Sequence, residues 1–171
     1  TRVARLREAQ YLDVAALADP EHSAVNAAIS PEQLVCKHVE RLIEYPGALQ
    51  VLDFAEGRVQ LVAVRAVPGG ALVGHEIREL REHLPAGVDA RVAAIFRKGR
   101  PVQPEGHTVI EVDDEVFFLA ERKDILTVMG ELRRVDARPA RRLLIAGGGN
   151  IGRNLARSLE SRYSVKVLER S

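Results

Sequence analysis

The residues best spaced for chemistry form a glycine cluster, Gly147-Gly148-Gly149-Asn150-Ile151-Gly152, with a carboxylate, Glu169, twenty positions beyond Gly149. Glycines in a G-x-G-x-x-G pattern do no chemistry themselves; they clear a path for a phosphate. Gly147 would permit a tight turn, and Gly149 removes the side chain that would block a pyrophosphate. Gly152 would let a helix pack closely on a strand. The pattern carries meaning only between a strand and a helix. Here the apolar run Leu143-Leu144-Ile145-Ala146 precedes it, and Ile151, Leu155 and Leu159 follow at helical spacing. Val165 to Leu168 then reads as a second strand, with Glu169 at its end. Free N–H groups and the partial positive charge of the helix start would face the phosphates. Glu169 could accept hydrogen bonds from ribose hydroxyls, and its charge disfavours a 2′-phosphate, which favours NAD(H) over NADP(H). The alternative is a structural glycine turn with Glu169 as a solvated strand end.

Groups for bond-breaking chemistry are not apparent. A dehydrogenase needs a proton donor or acceptor beside the nicotinamide. Of His22, His38, His75, His83 and His107, none sits in a recognisable catalytic setting. No His/Cys/Asp cluster has metal-ligand spacing, and His75 and His83 read as two solvated helix ends. Cys36 is the only cysteine, which excludes an internal disulfide and fits a reducing cytoplasm. It falls in a helical pattern and reads as a small packing residue.

The elements that would position these groups are visible in the spacing of apolar residues. Arg2 to Leu6 reads as a strand. The Ala-rich stretch Asp13 to Ala28 has weak periodicity. Ser30 can cap a helix whose first residue is Pro31, with Gln33 completing a capping box and Ile29 and Leu34 spaced as a hydrophobic staple. Val35, Val39, Leu42 and Ile43 share a face until Tyr45-Pro46-Gly47 stops the helix. Leu49–Ala55 and Arg58–Val67 then alternate as two strands of a hairpin, and Pro68-Gly69-Gly70 is a turn. Val73, Ile77, Leu80 and Leu84 predict a helix ended by Pro85. Arg91–Arg97, Val109–Val112 and Val116–Ala120 predict strands, and Ile125, Val128, Met129, Leu132 and Val135 an amphipathic helix. Residues 48–136 therefore read as one α+β unit of β-β-α-β-β-β-α order, with Ala137 to Ala140 as a linker into the β-α-β beginning that carries the glycines.

Composition agrees with a globular chain: 46% hydrophobic, 29% charged, net charge +1. No apolar run is long enough to span a bilayer. The densest basic stretch, Arg133-Arg134 with Arg138, Arg141 and Arg142, is interrupted by Asp136 and Pro139. It reads as a solvated linker, so nucleic acid is not an expected partner.

Several long runs go beyond generic patterning: Ile29-Ser30-Pro31-Glu32-Gln33-Leu34-Val35, the segment Arg41 through Val51, Phe54-Ala55-Glu56-Gly57, Arg81-Glu82-His83-Leu84-Pro85 and Arg91 through Arg97. With Asp114-Glu115-Val116-Phe117-Phe118, the glycine cluster and Tyr163-Ser164-Val165-Lys166-Val167, they closely resemble the RCK (KTN) family, the NAD-binding peripheral regulatory subunits of bacterial Trk potassium uptake systems. The resemblance implies an α/β and α+β chain, a small α+β RCK C-terminal regulatory domain flanked by partial Rossmann-type elements. On that template residues 1–46 are the end of a first Rossmann-type domain with its crossover helix. Residues 47–136 are the regulatory domain, and 140–171 the start of a second Rossmann-type domain. The resemblance places Gly147, Gly148, Gly149, Asn150, Ile151, Gly152 and Glu169 at the NAD site of the second half, and Arg5 at a cofactor-contacting arginine of the first.

It further implies a homo-oligomer, peripheral on the cytoplasmic face of the plasma membrane, partnered by a potassium-translocating membrane subunit. Holding one β-α-β of its nucleotide domain, the chain alone is expected to bind NAD weakly or not at all. Three functions follow: a nucleotide-sensing regulator of potassium transport without catalysis, an NAD-dependent oxidoreductase, or, for residues 48–136, a ligand-free dimerisation module.

Overall fold

Two seven-residue segments rich in apolar residues, β3 (Ala48–Phe54) and β4 (Val59–Arg65), pair as an antiparallel hairpin in the computed structural model. Their turn places Ala55, Glu56 and Gly57 at φ of 49°, 59° and 83°, the left-handed region where only glycine is unstrained. The structure describes residues 2–6, 27–133 and 141–170. The chain divides into two units, one of residues 42–139 and one of residues 1–41 with 140–171.

In the first of these, β5 (Ala90–Arg97), β6 (Arg100–Val102) and β7 (Glu115–Glu121) complete a five-stranded antiparallel sheet of order β3-β4-β7-β5-β6. Helix α3 (Ile125–Leu132) buries Ile125, Val128, Met129 and Leu132, spaced as one helical face. They join Val62, Val64, Ile95, Val116 and Phe118 in the core. Burying each such side chain contributes about 1.5–3 kcal/mol. The predicted Pro68-Gly69-Gly70 turn docks on the end of α3. Val67 N–H donates to Leu132 O at 3.0 Å and Leu72 N–H to Glu131 O at 2.8 Å, satisfying carbonyls a helix end leaves open.

One buried ion pair holds the loop before β7. Asp114, fully buried, accepts from Arg97 Nε and Nη2 and from Glu111 N–H, each at 2.9 Å. Arg97 also donates to the Val109 carbonyl at 2.8 Å.

The element order matches the expectation, but two elements differ from it. The helix predicted from Val73 to Leu84 contracts to a 3₁₀ turn, Ile77–Glu79, running into α2 (Leu80–His83). Gly74 at φ 91° breaks the helical path. The backbone around it pairs instead with 108–110, through Gly74 N–H to Ile110 O, Ile77 N–H to Thr108 O and Ile110 N–H to His75 O. For the same reason Val109–Val112 is no regular strand: its partner is this irregular segment, and only an isolated bridge, Glu76 to Val109, forms. The extra strand is instead β6, three residues long and containing Pro101.

In the second unit, β1 (Val3–Arg5) and β2 (Ala27–Ile29) pair in parallel, as do β8 (Arg142–Ala146) and β9 (Ser164–Leu168). Helix α1 (Pro31–Glu44) starts where the sequence places it: Ser30 is buried and its Oγ accepts from Gln33 N–H at 3.4 Å. The expected staple is not packed away, since Ile29 and Leu34 are 44% and 57% exposed. The residue α1 buries is Cys36, with its Sγ 3.6 Å from the carbonyl of Ile151 in α4 (Asn150–Leu159). Helix α4 buries Leu155 and Leu159. Most of the stretch Asp13–Ala28 and the linker Ala137–Ala140 lie outside the described residues. No helix among the described residues is long and apolar enough to cross a membrane.

Candidate functional site

Strand β8 ends at Ala146, and the chain must then reverse into α4 within three residues. Gly147 makes the turn at φ 108°, a conformation strained for any residue with a β-carbon. Its N–H donates to Leu168 O at 2.7 Å, closing the loop onto the end of β9. A β-carbon on Gly152 would stand 1.9 Å from the Gly147 carbonyl oxygen, so the first turn of α4 rests directly on the loop.

Gly149 is different. It is the N-cap of α4, its carbonyl accepts from Arg153 N–H at 2.9 Å, and a β-carbon there would meet nothing within 4 Å. Gly147 and Gly152 are thus required by the fold, whereas Gly149 faces open space at a helix start, where backbone N–H groups attract anions. The open approach beside these donors fits a pyrophosphate. Asn150 and Ile151 form the first turn of α4, with Ile151 partly exposed.

Glu169 follows β9 directly and reaches back across the loop, where its carboxylate accepts from Gly148 N–H. The structure therefore brings the acid to the glycine loop. Arg5 lies elsewhere: it is the exposed last residue of β1, in a different sheet from the loop. Cys36 is buried, and burial, with the Glu40 charge second, raises its thiol pKa, the reverse of what a nucleophile needs.

The structure also gathers side chains that sequence reasoning left apart. In a continuous helix, residues eight apart are separated by about 12 Å along the axis. His75 and His83 nevertheless have ring centroids 5.4 Å apart, because Glu76 is extended (φ −78°, ψ 147°) and the chain turns over before α2. Glu79 stands with them, its Oε2 2.9 Å from His75 Nδ1. They are therefore not two isolated solvated ends. The legible signal was the spacing His-x₃-Glu-x₃-His. The Glu79 carboxyl is held below the usual carboxylate range, chiefly by the Glu76 N–H it accepts and next by His75.

The family model of the TrkA-C domain matches residues 61–133, which span β4 to α3. The chain is 55% identical over 171 residues to the Trk system potassium uptake protein TrkA of Vibrio alginolyticus, covering 99% of this chain and 37% of that protein. It is 56% identical over 169 residues to TrkA of Halomonas elongata, covering 99% and 36%. The chain thus spans a little over a third of the length of these relatives. Among solved structures, the GsuK RCK domain superposes with a TM-score of 0.53 at 16% identity, covering 99% of this chain and 35% of that one. The GsuK channel bound to NAD gives 0.54 at 15% identity, covering 99% and 29%. These structural likenesses establish an RCK-type fold.

Proposed function

We propose that this chain, which carries a TrkA-C domain at residues 61–133 and is a relative of TrkA along nearly its whole length, is part of a nucleotide-sensing regulatory subunit of a potassium uptake transporter. The observation that carries the proposal is the 55% identity to a potassium uptake protein, sustained over 99% of the chain rather than confined to the glycine motif. The proposed domains are 1–46 and 140–171, the parts of two Rossmann-type domains, and 47–136, the regulatory domain between them.

In this reading NAD(H) is a ligand and undergoes no chemistry. Its pyrophosphate lies over Gly149 at the start of α4, with Gly147, Gly148, Asn150, Ile151 and Gly152 forming the cradle. Glu169 exchanges its bond to Gly148 N–H for the adenosine ribose, and Arg5 serves the corresponding site of the first Rossmann-type domain. The NAD-bound state of the structurally similar GsuK channel is in keeping with this assignment. A nucleotide that binds two domain arrangements unequally shifts their populations, and the shift is conveyed to a membrane partner through a packed interface. Helix α1 is the proposed connector, since it runs directly into the hairpin of the regulatory domain. The subunit acts as a homo-oligomer on the inner face of the plasma membrane, beside the potassium-translocating subunit.

The test is potassium flux through the full-length subunit reconstituted with its membrane transporter, with and without NADH. Flux should respond to nucleotide, and Gly149→Val should abolish the response. Flux that never depends on nucleotide would overturn the proposal.

A further inference from the structure

We propose that His75, Glu79 and His83 form a binding site for one divalent transition-metal ion, with zinc its natural occupant. One ligand atom from each residue lies within 4.8 Å of the ligand atoms of the other two. Two imidazoles and a carboxylate are the donor set that zinc and its neighbours prefer, whereas magnesium and calcium prefer oxygen alone. Around zinc, bond lengths near 2.1 Å set neighbouring ligand atoms roughly 3.4 Å apart. The widest separation, up to 4.8 Å, would close by at most about 1.4 Å, while His75 and Glu79, at 2.9 Å, already lie inside that spacing, and the His75 side chain is half exposed.

The carboxylate is already oriented. Glu79 Oε1 accepts from the Glu76 N–H at 3.0 Å, while Oε2 faces His75 at 2.9 Å. One oxygen is fixed by the backbone and the other is turned to the proposed site, an arrangement that spares a ligand the entropy of ordering. Glu131, on α3, lies 3.4 Å from His83 Nδ1 and adds a second negative charge that favours a cation. His83 and Glu131 are only 24% and 19% exposed, so the ion would be screened from bulk water on that side. The ligands come from one short irregular segment, so a bound ion would pin that segment's shape.

The test uses the 171-residue chain without a polyhistidine tag. Calorimetric titration with zinc should show one site per chain with micromolar affinity, and cobalt(II) should give the visible absorption of a low-symmetry N/O site. His75→Ala, His83→Ala and Glu79→Gln should each weaken binding by about tenfold or more, and Gln can still accept the Glu76 hydrogen bond. In the unaltered chain, zinc should shift the ring resonances of His75 and His83 and leave those of His22, His38 and His107 in place, a readout that needs no variant. Absence of zinc binding, or stoichiometric binding that survives the loss of both histidines, would overturn the proposal.

Discussion

Gly152 lies directly against Gly147: a β-carbon on Gly152 would come within 1.9 Å of the Gly147 carbonyl oxygen and 3.1 Å of its carbonyl carbon. The obstruction is backbone, which cannot rotate away as a side chain would. Gly152→Ala should therefore push α4 off the loop and cost about 1–3 kcal/mol by overpacking. Amide exchange across residues 141–170 reads this directly. Unchanged protection there would refute the close packing.

Gly149 lacks such a neighbour, so Gly149→Ala should leave the same amides as protected as before. In the full-length subunit it should nonetheless weaken NADH binding, by about tenfold or more, because the methyl group would enter the proposed pyrophosphate position. Loss of fold and loss of ligand are thereby assigned to different glycines of one motif. The 171-residue chain, whose cradle rests on a two-stranded sheet, should bind NADH weakly or undetectably by calorimetry. Micromolar affinity there would count against the expectation.

Glu169 accepts from Gly148 N–H beside the proposed ribose position. Glu169→Gln keeps an acceptor and removes the charge. NAD(H) binding to the full-length subunit should fall modestly, while discrimination against the 2′-phosphate of NADP(H) should narrow. Equal discrimination by both forms would remove Glu169 from the ribose site.

Asp114 is a buried anchor of the 42–139 unit, bonded by two nitrogens of Arg97 and by Glu111 N–H. Asp114→Ala removes two charge-assisted bonds from Arg97, which keeps Glu111 and the Val109 carbonyl as partners, and leaves the Glu111 N–H without its acceptor. The expected cost is about 1.5–3 kcal/mol, seen as a lower midpoint in urea denaturation. A change below about 0.5 kcal/mol would show that Arg97 finds solvent instead.

What the residues revealed in advance follows from how local each signal is. The Ser30 cap of α1, the strand–glycine–helix passage at 143–152 and the order of the central elements depend on neighbours within a few positions, and the sequence displays them. The place of Glu169 beside the glycine loop was legible because a recurrent βαβ geometry links a strand end to the preceding loop, whereas its bond to Gly148 N–H was not. The departures arise where distant backbone decides. Gly74 looked like a tolerable glycine in a helical pattern, yet the pairing of 74–77 with 108–110 outcompetes the helix. The His75, Glu79 and His83 cluster was hidden by the same error, since a straight helix would hold its ends apart. The exposure of Leu34 likewise could not be read from α1 alone, because an apolar face says nothing of what covers it.

The division of the chain has a consequence for its synthesis. Residues 42–139 are contiguous, whereas the other unit joins 1–41 to 140–171, through contacts such as Cys36 Sγ with the Ile151 carbonyl. Domains fold largely as units while the chain emerges from the ribosome. The central sheet can therefore form first, while Cys36 of α1 waits for its contact until α4 has been translated.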